Sequence, residues 1–136
     1  QVMKPHVLKE VKDSAGRTVK KVEPQVVQKD FIAPENLNVL KQAMRQVVAA
    51  PYGTACCQIE QQVPVAVAAK TGTAETDPNG KRKPHAWFTA FAPYDDPQIV
   101  MVVLITNAGE GAQFAAPAVR ESLAWCFTRP GGCVRP

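Results

Sequence analysis

Serine is scarce in this chain, whose 136 residues hold only Ser14 and Ser122. Ser14 is followed three residues on by Arg17 and Ser122 by Trp125, and neither has an asparagine two residues on. A serine nucleophile partnered by a lysine three positions later is therefore missing from these residues. Histidine is equally sparse. His6 and His85 stand far apart and no Cys-x-x-Cys occurs, so a zinc ligand set is not expected. No run approaches the roughly 18 to 20 apolar residues that span a bilayer, and no signal-peptide pattern opens the chain. The net charge is +4, but the basic residues are scattered. The one dense run, Lys81-Arg82-Lys83, sits in a turn-rich loop and reads as a solvated face. With no basic stripe or reader motif, nucleic acid is not an expected partner. No cofactor is expected, and there is no internal repeat or low-complexity segment.

A hydrophobic fraction of 46% places the chain among ordinary globular sequences, long enough to bury one core. Residues 1–30 read as a polar β-hairpin segment, with β-prone stretches at 6–12 and 18–22 around Asp13-Ser14-Ala15-Gly16. Pro34 and Glu35 open a helix expected over 35–49, where Leu37, Leu40, Met44, Val47 and Val48 share a face suited to core packing. Pro51-Tyr52-Gly53 ends it, and 52–64 reads as an irregular link. Strands are expected over 65–73, 86–92 and 98–106, joined by turn-rich loops as an antiparallel meander. A last helix is expected over 115–127, with Pro117 in its first turn. The fold class that follows is α+β, an antiparallel β-sheet flanked by helices, with 31–136 as its main body.

Adjacent Cys56 and Cys57 could pair only with a strained local backbone. A reactive thiol there lacks a visible helix N-terminus or basic partner. Cys126 and Cys133 flank the turn-rich spacer Arg129-Pro130-Gly131-Gly132. An oxidising compartment would allow that pair to staple the last helix to the tail.

The chemistry concentrates at Lys70-Thr71-Gly72-Thr73, which ends the apolar run Val65-Ala66-Val67-Ala68-Ala69. A cation, two hydroxyls and a glycine on one strand make an anion-binding edge; the plainer reading is a surface lysine before a glycine turn. Val67 to Glu75, then His85-Ala86-Trp87-Phe88-Thr89-Ala90-Phe91-Ala92-Pro93 and Asp96 to Leu104, resemble the C-terminal part of the transpeptidase domain of class B penicillin-binding proteins. Ala115-Ala116-Pro117 fits the same family, and the likeness runs from about Phe31 to Phe127. Ala90 to Pro97 and Asn107 to Gly111 look closer to the elongation type than to the division type. One departure is Ala69, where the family often has glycine.

The resemblance implies a larger domain that cross-links peptidoglycan through an acyl-serine and is trapped by β-lactams. Lys70 would keep the site electropositive. Thr71 and Thr73 would hold the terminal carboxylate of a stem peptide or β-lactam, and the Thr73 N–H would be one oxyanion donor. Gly72 would leave room for substrate backbone. The nucleophile would come from the remaining segment of the same domain. Trp87 reads as a core aromatic or a cleft wall, Phe88 likewise, Glu75 as a loop residue near the cleft mouth, and His85 as a structural strand-start residue. An extracytoplasmic location is implied, with a membrane anchor outside this segment. Two alternatives stay open: a β-lactam-hydrolysing enzyme or β-lactam sensor of the same fold, and a non-catalytic fragment.

Overall fold

The computed structural model describes residues 1–129 and Cys133. Two compact units divide it, Gln1–Leu37 and Asn38–Pro136. The first unit holds two small antiparallel pairs. Strand β1 (Val2–Met3) pairs with β4 (Val26–Gln28), and β2 (Glu10–Lys12) pairs with β3 (Thr18–Lys21). The hairpin expected around Asp13 is therefore present, enclosed by a second pair that the sequence pattern did not reveal. Asp13 organises its turn. Its carboxylate accepts from the Ala15 and Arg17 amides at 2.9 and 3.0 Å and from Arg17 Nε at 2.8 Å. The Arg17 bonds, backbone first, and then the Ala15 amide hold its pKa below the ordinary carboxylate value.

Helix α1 (Pro34–Ala49) begins in the first unit and continues into the second. Only the later part of its apolar stripe packs: Val48 is buried and Met44 and Val47 are half-buried, whereas Leu37 and Leu40 stay exposed. Gly53 stops the helix by close approach, since a Cβ there would collide with the carbonyls of Gln46 and Val47.

The main sheet contains β5 (Ala68–Ala74), β6 (His85–Ala92) and β7 (Ile99–Ile105), in that order and antiparallel throughout. Strand β5 starts three residues later than the 65 expected. The register puts Ala66 opposite Pro93, which has no N–H to donate; the Ala66 carbonyl takes the Tyr94 amide at 2.8 Å instead, and the Val67 carbonyl takes the Arg45 guanidinium at 3.2 Å. Strand β6 gains His85, and β7 is one residue shorter at each end than 98–106.

Burial alternates strictly along β6. Ala86, Phe88, Ala90 and Ala92 point into a core shared with Val67, Ala69, Val119 and Leu123. The short helix α2 (Gly111–Phe114), absent from the sequence reading, precedes α3 (Ala116–Thr128). Pro117 lies in the first turn of α3, and Ala116, Val119, Leu123 and Cys126 are buried along its inner face. Cys126 and Cys133 are disulfide-bonded, with their Cα atoms 4.7 Å apart. Among the described residues no helix is long and apolar enough to cross a membrane.

Candidate active-site strand

Register and pleat together place the four motif residues. Lys70 lies opposite Thr89, Thr71 opposite Phe88, Gly72 opposite Trp87 and Thr73 opposite Ala86. Because side chains alternate along a strand, Thr71 and Thr73 share the face of Ala86 and Phe88. Lys70 and Gly72 share the other face with Trp87. The ammonium does not stay apart, because Lys70 Nζ donates to the Thr71 carbonyl at 2.6 Å. One charge and two hydroxyls are thus brought to one short stretch of β5. Lys70 and Thr73 are exposed while Thr71 and Gly72 are half-buried, so the rim is open to solvent. Strand β5 is an edge strand, hydrogen-bonded to β6 alone among the described residues.

A third hydroxyl joins them that sequence reasoning missed. Thr54 Oγ1 lies 3.0 Å from Thr71 Oγ1. Each hydroxyl carries one donor hydrogen. With Thr54 donating to Thr71, the Thr71 hydrogen is free to meet an anion. Thr54 sits in the link after α1, held by the Ala55 amide bonding the Val47 carbonyl at 3.0 Å. Nothing in its spacing from residue 71 could have announced the contact.

Gly72 has a steric reason within the chain itself: a Cβ would lie 3.0 Å from the Trp87 Cβ. Gly111, also missed, is required more strictly. A Cβ there would collide with the carbonyl oxygens of Trp87 and Gly72, so the start of α2 rests directly on the backbone of β5 and β6. A glycine just before a helix was the only available signal.

The aromatic pair divides. Phe88 is fully buried in the core, whereas Trp87 is 37% exposed on the Lys70 face. His85 accepts the Asn107 amide at Nδ1 over 3.0 Å, tying the start of β6 to the turn after β7, where Asn107 adopts φ 53°. That bond leaves a neutral ring's hydrogen on Nε2. Glu75 is exposed one residue beyond β5. In the following loop Asp77 accepts the amides of Asn79, Lys81 and Arg82 at 2.9 to 3.1 Å, which curls the basic run around one carboxylate. Among the described residues no cluster of histidine, cysteine and carboxylates fit to hold a metal is present.

An antiparallel sheet with helices packed on it, and an exposed lysine and two threonine hydroxyls on its outer strand, defines an α+β domain with an open polar edge. The model of the penicillin-binding protein transpeptidase domain matches residues 1–124, and the chain belongs to that family. The chain is 33% identical to the peptidoglycan D,D-transpeptidase MrdA of Haemophilus influenzae, over 89% of this chain and 20% of that protein. It is also 33% identical to the peptidoglycan D,D-transpeptidase PbpA of Mycolicibacterium smegmatis, over 90% of this chain and 25% of that one. Among solved structures, penicillin-binding protein A of M. tuberculosis in its imipenem acyl-enzyme complex aligns with a TM-score of 0.67 at 30% identity. That alignment covers 87% of this chain and 25% of that chain. Pseudomonas aeruginosa PBP2 in complex with WCK 5153 gives a TM-score of 0.63 at 30% identity, over 88% and 25%. The chain thus spans about a fifth to a quarter of the length of these relatives.

Proposed function

We propose that these residues furnish the Lys-Thr-Gly-Thr strand of a class B peptidoglycan D,D-transpeptidase, with the acylating serine contributed from outside this sequence. The observation that carries the reading is the open rim, where Lys70, Thr71 and Thr73 converge on an edge strand beside Thr54. The terminal carboxylate of a D-alanyl-D-alanine stem peptide, or of a β-lactam, meets the Thr71 and Thr73 hydroxyls. Lys70 supplies the favourable field, and its attraction is strengthened once substrate excludes water. The free edge of β5 offers backbone groups to an extended acylamino chain, by strand addition. The Thr73 N–H serves as one oxyanion donor and the nucleophile's own N–H as the other.

The elongation subtype rests on the wording of residues 90–97 and 107–111. An extracytoplasmic setting, with the parent protein anchored in the membrane elsewhere, is supported by family membership and agrees with the Cys126–Cys133 disulfide. The remaining segment of the same domain is the partner this strand requires. Names among the relatives support the substrate class, since they are peptidoglycan D,D-transpeptidases.

Labelled penicillin tests the proposal. The isolated chain should retain no label after denaturation, because it holds no Ser-x-x-K. The parent protein with its remaining segment should retain label and release it slowly. Label on the isolated chain, or none on the parent, defeats the reading, and rapid turnover by the parent moves it to a hydrolase.

A further inference from the structure

Two residues beyond Thr54 the chain carries a pair of free thiols that the transpeptidase chemistry does not use. Cys56 and Cys57 place their sulfurs 2.8 Å apart. Cys57 is exposed and Cys56 half-buried. The backbone on either side is pinned: Ala55 and Ile59 are fully buried, and the Cys56 amide bonds the Gly53 carbonyl at 3.0 Å. Between those anchors Cys57 adopts φ 63°, a left-handed conformation that a residue with a side chain seldom takes. Such backbone persists only where its surroundings over-determine it. The fold thus holds two thiols face to face.

Neighbouring residues have Cα atoms about 3.8 Å apart across a trans peptide, whereas ordinary disulfides require about 4.4 to 6.8 Å. The tail pair, Cys126 and Cys133, satisfies that range at 4.7 Å. A bridge between Cys56 and Cys57 would distort its own peptide unit and open readily, as strained and exposed disulfides do. The chain therefore contains one pair suited to permanent bonding and one suited only to reversible bonding.

We propose that Cys56 and Cys57 form a reversible thiol–disulfide site, oxidised by exchange with a small-molecule or protein disulfide, and that closing it draws Thr54 away from Thr71. The second half of this statement rests on the transpeptidase reading; the first does not. The exposed Cys57 thiolate attacks the incoming disulfide, forms a mixed disulfide and releases one thiolate. Cys56, deprotonated, then attacks the Cys57 sulfur and expels the second. The protein pair loses two electrons and two protons, and the incoming disulfide becomes two thiols. The order follows from access. It is reinforced by the hydrogen bond shared with Cys57, by desolvation and by the charges of Cys57 and Glu60, all of which raise the Cys56 pKa and keep it a thiol for longer. Closure turns the Cys56–Cys57 peptide. Gly53, packed against the last turn of α1, and Ala55, buried with its amide on the Val47 carbonyl, cannot follow, so the displacement falls on exposed Thr54 between them.

The test is peptide mass mapping of the folded chain after equilibration in buffers from reduced to oxidised glutathione. The peptide bearing Cys56 and Cys57 should lose the mass of two hydrogens in oxidised buffer and regain it in reduced buffer, while the Cys126–Cys133 bridge persists throughout. Retention of both thiols, or a stable glutathione adduct on Cys57 in place of the bridge, overturns the site. In the parent protein, acylation by labelled penicillin should fall several-fold in oxidised buffer, and Cys57→Ser should abolish that dependence. Bridge formation without any change in acylation overturns the link to Thr71. Absence of acylation in reduced buffer would count against the transpeptidase reading, with the mass shift still deciding the bridge.

Discussion

At the scale of single residues, the rim separates groups that act from groups that shape. Lys70 is exposed, and among the described residues its ammonium is hydrogen-bonded to the carbonyl of its own neighbour. Its removal should leave the fold within about 0.5 kcal/mol of its original stability. Under the proposed function, acylation of the parent protein is another matter, because a charge near a developing anion is worth most where water is excluded. Lys70→Ala should lower the acylation rate about ten- to a hundredfold, measured with labelled penicillin, while urea unfolding is unchanged. Equal acylation rates would remove Lys70 from the site. Gly111 behaves oppositely. Gly111→Ala puts a methyl group into the backbone of β5 and β6, and overpacking of this kind costs about 1–3 kcal/mol or more. A lowered midpoint in urea checks it. The lysine was legible because Lys-Thr-Gly-Thr is contiguous in sequence. Gly111 and Thr54 were not, because each meets β5 only after the chain has folded back.

At the scale of elements, the arrangement of the strand before the motif depends on Arg45 of α1. Its guanidinium bonds the Val67 carbonyl at 3.2 Å and forms an ion pair with Glu60, with the arginine side chain 23% exposed. Val67 itself is fully buried. Arg45→Leu removes the donor and leaves a carbonyl and a carboxylate without their partner. A loss of about 1–3 kcal/mol is expected, read as a shift of the chemical unfolding midpoint. Arg45→Lys should recover only part of it, because an ammonium lacks the planar fork that serves both groups. This clamp also explains where the sequence reading failed. Val65-Ala66-Val67 has the composition of a strand, and apolar run length alone cannot exclude it. Opposite Ala66 the register reaches Pro93, which has no N–H to give a ladder, and the Ala66 and Val67 carbonyls are met instead by Tyr94 and Arg45, residues distant in sequence. The helices α1 and α3 were read correctly in kind because each carries its own periodicity, and the strands of the meander because apolar runs alternate with turn-rich loops. The pair β1 and β4 was not, since two- and three-residue strands have too few positions to show one.

At the scale of the molecule, β7 is apolar on both faces. Its Ile99-Val100-Met101-Val102-Val103-Leu104-Ile105 run alternates between half-buried and exposed, and Val100, Val102 and Leu104 are 67%, 57% and 43% exposed. Strands of continuous apolar residues are usually covered on both sides. An edge strand of this kind with no charge is a template for self-association. The isolated chain should therefore bind a hydrophobic dye and form oligomers as its concentration rises, checked by fluorescence and sedimentation. Val102→Lys should suppress both without unfolding the sheet. A monomeric, dye-free chain at high concentration would contradict the expectation. Exposed Leu37 and Leu40 on α1 point the same way.

The sequence by itself determined the α+β class, the order of the principal helices and strands, and the place of Lys-Thr-Gly-Thr on a strand. Each of these is written in contiguous residues, as periodicity, turn chemistry or a four-residue motif. Tertiary structure alone decided that β5 starts at Ala68, that Thr54 partners Thr71, that Gly111 seats α2 on the sheet, and that two adjacent cysteines are held sulfur to sulfur. Those outcomes depend on which backbone carbonyls are already taken and on which atoms meet across the fold. Neither is a property of any short stretch of chain.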